Sequence, residues 1–335
     1  MKELQEKCGV IAYFSPEPRA IIPKALTAAY GVQHRGQGGF GLGFSTESGE
    51  FVSFRRFGLL ADTFRQPLKF DEGDTPFSLG DKTNVVIVHT RYATNGDDEE
   101  GNLQPCTAKA PGGEKVAVIH NGEFVARDKM ERLVTKNFKE GDSDTYVYTH
   151  VLAETEGENW DEKVVNSLNK VKGAYFLIIL AGDNLYIARD PNGIRSGVIG
   201  RDEDSWVVAS ETFALDKLRA NVLREVKRGE ILKISKDGLK ILQDGLDGSG
   251  NFCGFERAYF ARPESLMHTY ERPDDSEHPE RWISNALFRE RCGQILAEEA
   301  PIPQLDYIVG IPDSGVAGGI GYSNGSRKPY RPVII

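Results

Sequence analysis

Lys7-Cys8-Gly9-Val10-Ile11-Ala12 places a cysteine directly before an apolar run that is typical of a β-strand. Residues 1–7 are mostly polar and offer no side chains for a core. We predict that residues 1–7 are a propeptide, whose removal leaves Cys8 with an α-amine beside its thiol, a base next to a nucleophile. The alternative is a buried cysteine in an edge strand, since cysteine is among the most often buried residue types.

The size and charge of the chain exclude several classes of protein. With 335 residues the chain is too long to fold around one ordinary hydrophobic core, so two domains are expected. A net charge of −9 argues against nucleic acid and an anionic membrane surface as partners. No apolar run of about 18 residues marks a transmembrane helix, and residues 1–7 lack a secretory signal, so we expect a cytoplasmic protein. The four cysteines are far apart, and no disulfide framework is expected there.

Short apolar runs dominate the region before residue 243. They predict strands at 85–89, 116–120, 174–180, 185–188, 206–209 and 230–234. A hairpin turn is predicted at 181–184, and Asn121-Gly122 is expected to end the strand before it. Apolar residues at helical spacing predict helices at 22–33, 143–154 and 160–171. Two sheets with helices outside them are an economical packing of these elements.

A Gly- and Asp-rich stretch at 243–251 separates this region from a different pattern. We therefore place a first domain at 8–242 and a second at 253–335. In the second, a helix at 282–299, a strand at 306–312, a turn at 313–315, a helix at 316–322 and a strand at 332–335 are predicted. This succession is typical of a parallel α/β domain, and its shortness suggests that the domain is incomplete.

Four polar clusters lie at the ends of the apolar runs, where loops meet a rigid scaffold. They are QHRGQ at 33–37, HTRYAT at 89–94, HNGE at 120–123 and SDT at 143–145. Taken singly, each cluster is weak evidence for a functional site, because an arginine after a strand is usually in a surface ion pair and Asn-Gly is usually a turn. In this order after Cys8-Gly9-Val10 they resemble the class II glutamine amidotransferases, the N-terminal-nucleophile glutaminases. The resemblance spans Cys8 to about residue 240 and implies an α+β fold, a four-layer αββα sandwich.

The resemblance also implies catalytic roles. Cys8 attacks the side-chain amide of glutamine, forming a thioester and releasing ammonia. Its own α-amine, with an ordinary pKa of about 8, takes the thiol proton. The side-chain amide of Asn121 and the backbone N–H of Gly122 form the oxyanion hole, in which losing one donor typically costs about 10²–10³ in rate.

Three charged residues are implied to bind glutamine. Arg91 holds its α-carboxylate, a task suited to a forked and permanently charged donor. Asp144, at a helix start, receives the α-ammonium group. Arg35 is expected to assist from a loop that closes near Cys8. One departure from the family pattern, the glycine-rich 38–41, is expected to loosen the loop behind Arg35.

Further motifs indicate the amidophosphoribosyltransferase branch of this family. QHRGQ and HTRYAT fit it better than the YRGYDS and HTRWAT of the sugar-phosphate aminotransferases. Additional matches are RDPNGIR at 189–195, with Ser196 in place of the usual proline, VASET at 208–212, CGFERAYFARPES at 253–265 and IPDSG at 311–315. The implied reaction converts glutamine, phosphoribosyl pyrophosphate and water to 5-phosphoribosylamine, glutamate and pyrophosphate, the first step of purine synthesis. Ammonia would pass from Cys8 to the second domain.

The branch also implies cofactors. Mg²⁺ bridges pyrophosphate in such enzymes, and Ser314 matches one ligand position. Cys253 matches the first of four cysteines that hold a [4Fe-4S] cluster in many relatives, although a core cysteine is the alternative. The phosphate-binding motif of the type DDSIVRGTT is absent, and Asp274-Asp275-Ser276 is interpreted as a surface turn. The transferase half is thus expected to be incomplete.

Two other functions stay open. In the first alternative the chain is a glutaminase that supplies ammonia to another acceptor. In the second it is a non-catalytic paralogue with a binding role. Retention of Cys8, Arg91, Asn121, Gly122 and Asp144 argues against the second. The expected partners are glutamine, phosphoribosyl pyrophosphate and further copies of the chain, with no nucleic acid and no membrane.

Overall fold

The computed structural model describes residues 8–71, 74–92, 102–246, 251, 253–269 and 281–333. The chain divides into two compact units, Met1–Asn251 and Phe252–Ile335. The predicted propeptide and the predicted surface turn at 274–276 lie outside the described residues. None of the helices in the described part combines the length and the apolar character needed to cross a bilayer.

The first unit contains thirteen described strands and six described α-helices, with a 3₁₀ helix at Gln33–Arg35. The strands are β1 Gly9–Arg19, β2 Gly39–Ser45, β3 Phe51–Phe57, β4 Thr83–Arg91, β5 Cys106–Lys109, β6 Lys115–Val125, β7 Lys172–Ala181, β8 Asn184–Arg189, β9 Val198–Asp202, β10 Ser205–Ala209, β11 Asn221–Glu225, β12 Ile231–Ser235 and β13 Gly238–Gln243. The helices are α1 Ile22–Tyr30, α2 Leu60–Phe64, α3 Arg127–Glu131, α4 Asp144–Glu154, α5 Trp160–Leu168 and α6 Thr212–Asp216.

Two antiparallel sheets stack face to face in this unit. One has the order β11-β9-β10-β1-β4-β2-β3 and the other the order β13-β12-β8-β7-β6-β5. An apolar core that includes Val10, Ile87 and Ile119 lies between the sheets. A second core joins the outer face of the second sheet to α4 and α5, while α1 contacts β1 and β4 of the first sheet. This is the expected αββα sandwich.

The alternation of side chains along β6 decides which residues face the inside of the sandwich. Ala117 and Ile119 belong to the core between the sheets, whereas Val116 and Val118 belong to the core under the helices. Successive side chains of a strand point to opposite faces. Asn121 therefore lies on the same face of β6 as Ala117 and Ile119, the face that points into the sandwich. His120 lies on the opposite face of β6, with Val116 and Val118, which points toward α4. Its ring centroid lies 4.8 Å from that of Phe124.

Several predicted elements of the first unit need correction. The strand predicted to end at Asn121-Gly122 continues to Val125, because both residues are paired with β7. The glycine-rich segment expected to loosen a loop begins β2, a buried strand that pairs with both β3 and β4. A Cβ at Gly41 would collide with the carbonyl oxygen of Gln104, so glycine permits close packing here. The hairpin between β7 and β8 is confirmed.

The second unit is described by a two-stranded antiparallel ribbon and two long helices. These are β14 Leu266–Thr269, β15 Arg281–Ser284, α7 Asn285–Glu299 and α8 Gly315–Ser326. Helix α7 begins later than predicted, because 281–284 pair as a strand and the Ser284 hydroxyl caps the helix by accepting the N–H of Leu287 at 3.2 Å. The strands predicted at 306–312 and 332–335 are wrong over their described residues, where only a single parallel bridge, Ile308 to Tyr330, forms.

Candidate active site

Cys8 lies at the head of β1, in a pocket at one end of the sandwich. It is 7% exposed. The pocket receives residues from the end of β4, from the segment before β5 and from the start of α4. Its lining is Cys8, His89, Arg91, Tyr92, Asn102, Gln104, Ser143, Asp144 and Thr145. The structure therefore brings together three of the predicted site residues, Cys8, Arg91 and Asp144.

The backbone of Cys8 is held from behind by a buried ion pair. The Arg35 Nε donates to the carbonyl oxygen of Cys8 at 2.9 Å. Its Nη1 lies 2.6 Å from Glu211 Oε1, and both side chains are buried. Arg35 does not line the pocket. This differs from the expected role in glutamine binding, because Arg35 lies behind Cys8 with its charge neutralised by Glu211.

The VASET segment supplies a second support for β1. The Ser210 hydroxyl accepts the N–H of Val10 at 3.0 Å, and the Ser196 hydroxyl donates to the Ser210 carbonyl at 2.9 Å. Ser196 stands where the family usually has proline, which has no such donor. The VASET segment and Ser196 thus hold the strand that carries Cys8.

The RDPNGIR segment is a turn built around a buried carboxylate. Asp190 is fully buried and accepts the backbone N–H groups of Asn192 at 2.9 Å and Ile194 at 3.0 Å. Arg189 donates to the carbonyl oxygens of Arg195 and Val226. This motif therefore shapes the scaffold, and its side chains do not line the pocket.

The two predicted oxyanion-hole residues lie on β6, outside the pocket lining. Asn121 is fully buried, and neither polar atom of its side chain has a hydrogen-bond partner within the described residues. A buried amide of this kind normally has partners. At Gly122 the backbone φ is +143°, and a Cβ would collide with the carbonyl oxygen of Ala174. Only glycine fits there without a backbone shift.

The charged groups that face the pocket suit a zwitterionic ligand. Arg91 ends β4, and its Nη1 is buried with no partner in the described part of the chain. A guanidinium in that state is suited to a carboxylate. Asp144 opens α4, and its two oxygens accept the N–H groups of Phe124 and Thr145, each at 2.7 Å. Burial raises the pKa of Asp144, while those N–H groups act in the opposite direction.

Sequence reasoning missed several residues of the pocket. His89 is 1% exposed, and neither ring nitrogen makes a hydrogen bond within the described residues. Burial, with Arg91 adding to it, lowers the pKa of His89 to about 3, so the ring is neutral near pH 7. His89 lies in the HTRYAT motif, which could have identified it. Asn102 and Gln104 carried no signal, because they lie outside the four polar clusters and the other quoted motifs.

A second buried cysteine near the pocket contrasts with Cys8. The Cys106 sulfur lies 3.9 Å from the Ser143 hydroxyl, and Cys106 does not line the pocket. Burial raises the pKa of the Cys106 thiol to about 12. A thiol in that state is not a nucleophile near neutral pH.

The predicted metal residues lie in the second unit. Ser314 precedes α8, and Cys253 is half-buried. Among the described residues no three His, Cys, Asp or Glu side chains cluster to hold a metal ion. Mg²⁺ usually binds through carboxylates and substrate phosphates, so Ser314 alone does not form a site. Mg²⁺ and the iron–sulfur cluster stay predictions.

Comparisons of the sequence with known proteins agree with this geometry. A family model described as a glutamine amidotransferase domain matches residues 89–217. The amidophosphoribosyltransferase of Bacillus subtilis is 30% identical over 100% of this chain and 65% of its own length. That of Methanocaldococcus jannaschii is 32% identical over 98% of this chain and 68% of its own length.

Two solved structures are also similar. One, described as the allosteric regulatory enzyme of purine biosynthesis, has a TM-score of 0.81 and 30% identity, over 97% of this chain and 64% of its own. The other is the glutamine phosphoribosylpyrophosphate amidotransferase of B. subtilis in complex with ADP and GMP, with a TM-score of 0.79 and 29% identity, over 97% and 65%. The chain thus spans slightly less than two thirds of the B. subtilis relative and of both structures.

Proposed function

Since this chain belongs to the amidophosphoribosyltransferase family, we propose that it hydrolyses glutamine at Cys8 and that the ammonia aminates phosphoribosyl pyrophosphate. The product would be 5-phosphoribosylamine, the first intermediate of purine synthesis. The observation that carries the glutaminase step is the convergence of Cys8, Arg91 and Asp144 on one pocket. A nucleophile, a site for a carboxylate and a site for an ammonium group are what glutamine requires.

The glutaminase step follows from these positions. The Cys8 thiol attacks the carboxamide carbon of glutamine, and the α-amine of Cys8 takes the thiol proton. The tetrahedral oxyanion forms next to donors assigned to Asn121 and Gly122. The intermediate collapses when the α-ammonium protonates the leaving nitrogen, which departs as ammonia and leaves a thioester. Water, activated by the same amine, then hydrolyses the thioester to glutamate and restores the thiol.

This chemistry requires a processed N-terminus. In the unprocessed chain the nitrogen of Cys8 belongs to a peptide bond and cannot act as a base. We therefore propose that residues 1–7 are removed before the enzyme is active. The intact mass of the purified protein measures this directly: a mass without residues 1–7 is expected.

The transferase step rests on the family alone. The curated relatives are named for this activity, and IPDSG at 311–315 resembles the turn that opens their phosphoribosyltransferase domain. The proposal includes three further points: use of phosphoribosyl pyrophosphate, a requirement for Mg²⁺ at Ser314 and assembly into a homo-oligomer.

Two activity measurements test the proposal. Glutamate release from glutamine is measured first, and formation of 5-phosphoribosylamine from phosphoribosyl pyrophosphate second. Cys8→Ala should lower glutamate release by at least about 10³-fold, while Cys106→Ala should retain it. Activity that survives Cys8→Ala contradicts the mechanism. Glutamate release without phosphoribosylamine formation would identify a glutaminase that serves another acceptor.

A further inference from the structure

Gln104 lies between the strand of the oxyanion hole and the helix of the ammonium site. It is 7% exposed and lines the pocket. Its Oε1 accepts the backbone N–H of His120 at 2.6 Å, and its Nε2 donates to the Thr145 hydroxyl at 3.2 Å. His120 directly precedes Asn121, and Thr145 directly follows Asp144. A single side chain therefore joins the two segments that carry the proposed catalytic and binding groups.

The two hydrogen bonds fix the orientation of the Gln104 amide. A backbone N–H can only donate, so the atom that faces His120 must be the oxygen. The amide nitrogen then faces Thr145, whose hydroxyl accepts from it. Reversing the amide would place a donor against a donor at His120. Gln104 thus supplies one acceptor and one donor, in an order that neither glutamate nor methionine reproduces.

The proton of the Thr145 hydroxyl follows from this orientation. The hydroxyl oxygen lies 3.0 Å from His120 Nδ1 and 3.3 Å from Asp144 Oδ1. A carboxylate only accepts, and a hydroxyl accepts up to two hydrogen bonds while donating one. All three contacts of the Thr145 hydroxyl are hydrogen bonds when His120 Nδ1–H and Gln104 donate to Thr145 and Thr145 donates to Asp144. The buried network therefore ends on the carboxylate assigned to the substrate ammonium.

We propose that Gln104 is a positioning residue for glutamine hydrolysis. It holds Asp144 and the Asn121-Gly122 donors in a fixed position relative to each other. This inference rests on the proposed glutaminase function. Gln104 acts through His120 and Thr145, so its loss should affect both substrate binding and turnover. Loss of packing alone would lower stability without a matching change in both kinetic constants.

The test measures kcat and KM for glutamine hydrolysis in Gln104→Met, which keeps the length of the side chain and removes both hydrogen bonds. The matched control is Gln243→Met, which removes a hydrogen bond to the Gly229 carbonyl in the same unit. We expect Gln104→Met to raise KM and lower kcat, with a combined loss of about 10- to 100-fold in kcat/KM. Gln243→Met should leave both constants close to those of the unchanged chain.

A second pair of variants keeps the test decisive if Gln104→Met does not fold. Thr145→Ser retains the hydroxyl and should retain activity, whereas Thr145→Val retains the shape and should show the losses expected of Gln104→Met. If Thr145→Val matches Thr145→Ser, or Gln104→Met matches Gln243→Met, the inference is overturned. If the unchanged, processed chain does not hydrolyse glutamine, the proposed function itself fails, which is a separate outcome.

Discussion

The guanidinium of Arg35 donates to the carbonyl oxygen of Cys8 at 2.9 Å, so the backbone of the proposed nucleophile is held in place. Glu211 neutralises this guanidinium in the interior, 2.6 Å from its Nη1. Glu211 also lies 3.0 Å from His34 Nε2. The position of Cys8 thus depends on a carboxylate that is distant in sequence and does not line the pocket.

Removing that carboxylate should destabilise the protein strongly. Glu211→Ala breaks the buried ion pair with Arg35, which typically costs about 3–5 kcal/mol. Chemical denaturation measures the loss, and glutamine hydrolysis should fall with it because the Cys8 carbonyl is no longer fixed. The control is Arg132→Ala, which breaks an exposed pair with Asp128 and should cost less than about 0.5 kcal/mol. Equal losses in the two variants would contradict a central role for the buried pair.

Gly122 should tolerate no side chain. Its φ of +143° and the collision of a Cβ with the Ala174 carbonyl require the backbone of β6 to shift, at a cost of about 1–3 kcal/mol or more. Gly122→Ala should therefore lower the melting temperature and abolish glutamine hydrolysis. Gly112→Ala is the matched control, since no atom lies within 4 Å of its Cβ position. A fully active Gly122→Ala variant would argue against an oxyanion hole at this position.

The sandwich could be predicted because its signals are local. The continuous apolar run at 116–119 marks strand β6, and the Ser143 hydroxyl, which accepts the N–H of Tyr146 at 3.2 Å, marks the start of α4. The Asn121-Gly122 pair was interpreted as a strand end because Asn-Gly favours turns. It remains extended because β7 pairs with it: Asn121 faces Phe176, and Gly122 faces Tyr175.

The remaining differences depend on contacts between distant segments. The role of Arg35 requires Glu211, which is 176 positions away. The role proposed for Gln104 depends on its hydrogen bonds to His120 and Thr145. The segment predicted as a strand at 306–312 is apolar enough, but a parallel strand needs neighbours along its length. Among the described residues its only strand-like pairing is the isolated parallel bridge from Ile308 to Tyr330.

The cysteines should differ widely in reactivity. Cys292 is exposed, whereas Cys106 is buried with a thiol pKa raised to about 12. Because the thiolate is the reactive form, iodoacetamide at pH 8 should modify Cys292 within minutes and Cys106 only after unfolding. Peptide mass spectrometry reads both sites in one sample. Modification of Cys106 in the folded protein at a rate close to that of Cys292 would contradict its burial.

Two buried histidines should make the protein sensitive to acid. Burial lowers the pKa of His89 and of His120 from 6.5 to about 3, so between these values the unfolded chain binds more protons than the folded one. Stability must then fall as the pH decreases from 6.5 toward 3. Each histidine contributes a loss of about 2 kcal/mol between pH 6.5 and 4.5. The raised pKa of Asp144 acts in the opposite direction.

Comparison with His89→Gln isolates one of these contributions. Chemical denaturation of both proteins at pH 6.5 and 4.5 gives the change in the free energy of unfolding. The unchanged chain should lose about 2 kcal/mol more than the variant over this interval, because the other titrating groups, Asp144 included, are present in both. Parallel losses in the two proteins would mean that His89 takes up its proton in the folded state, and that its ring is not held neutral beside Cys8.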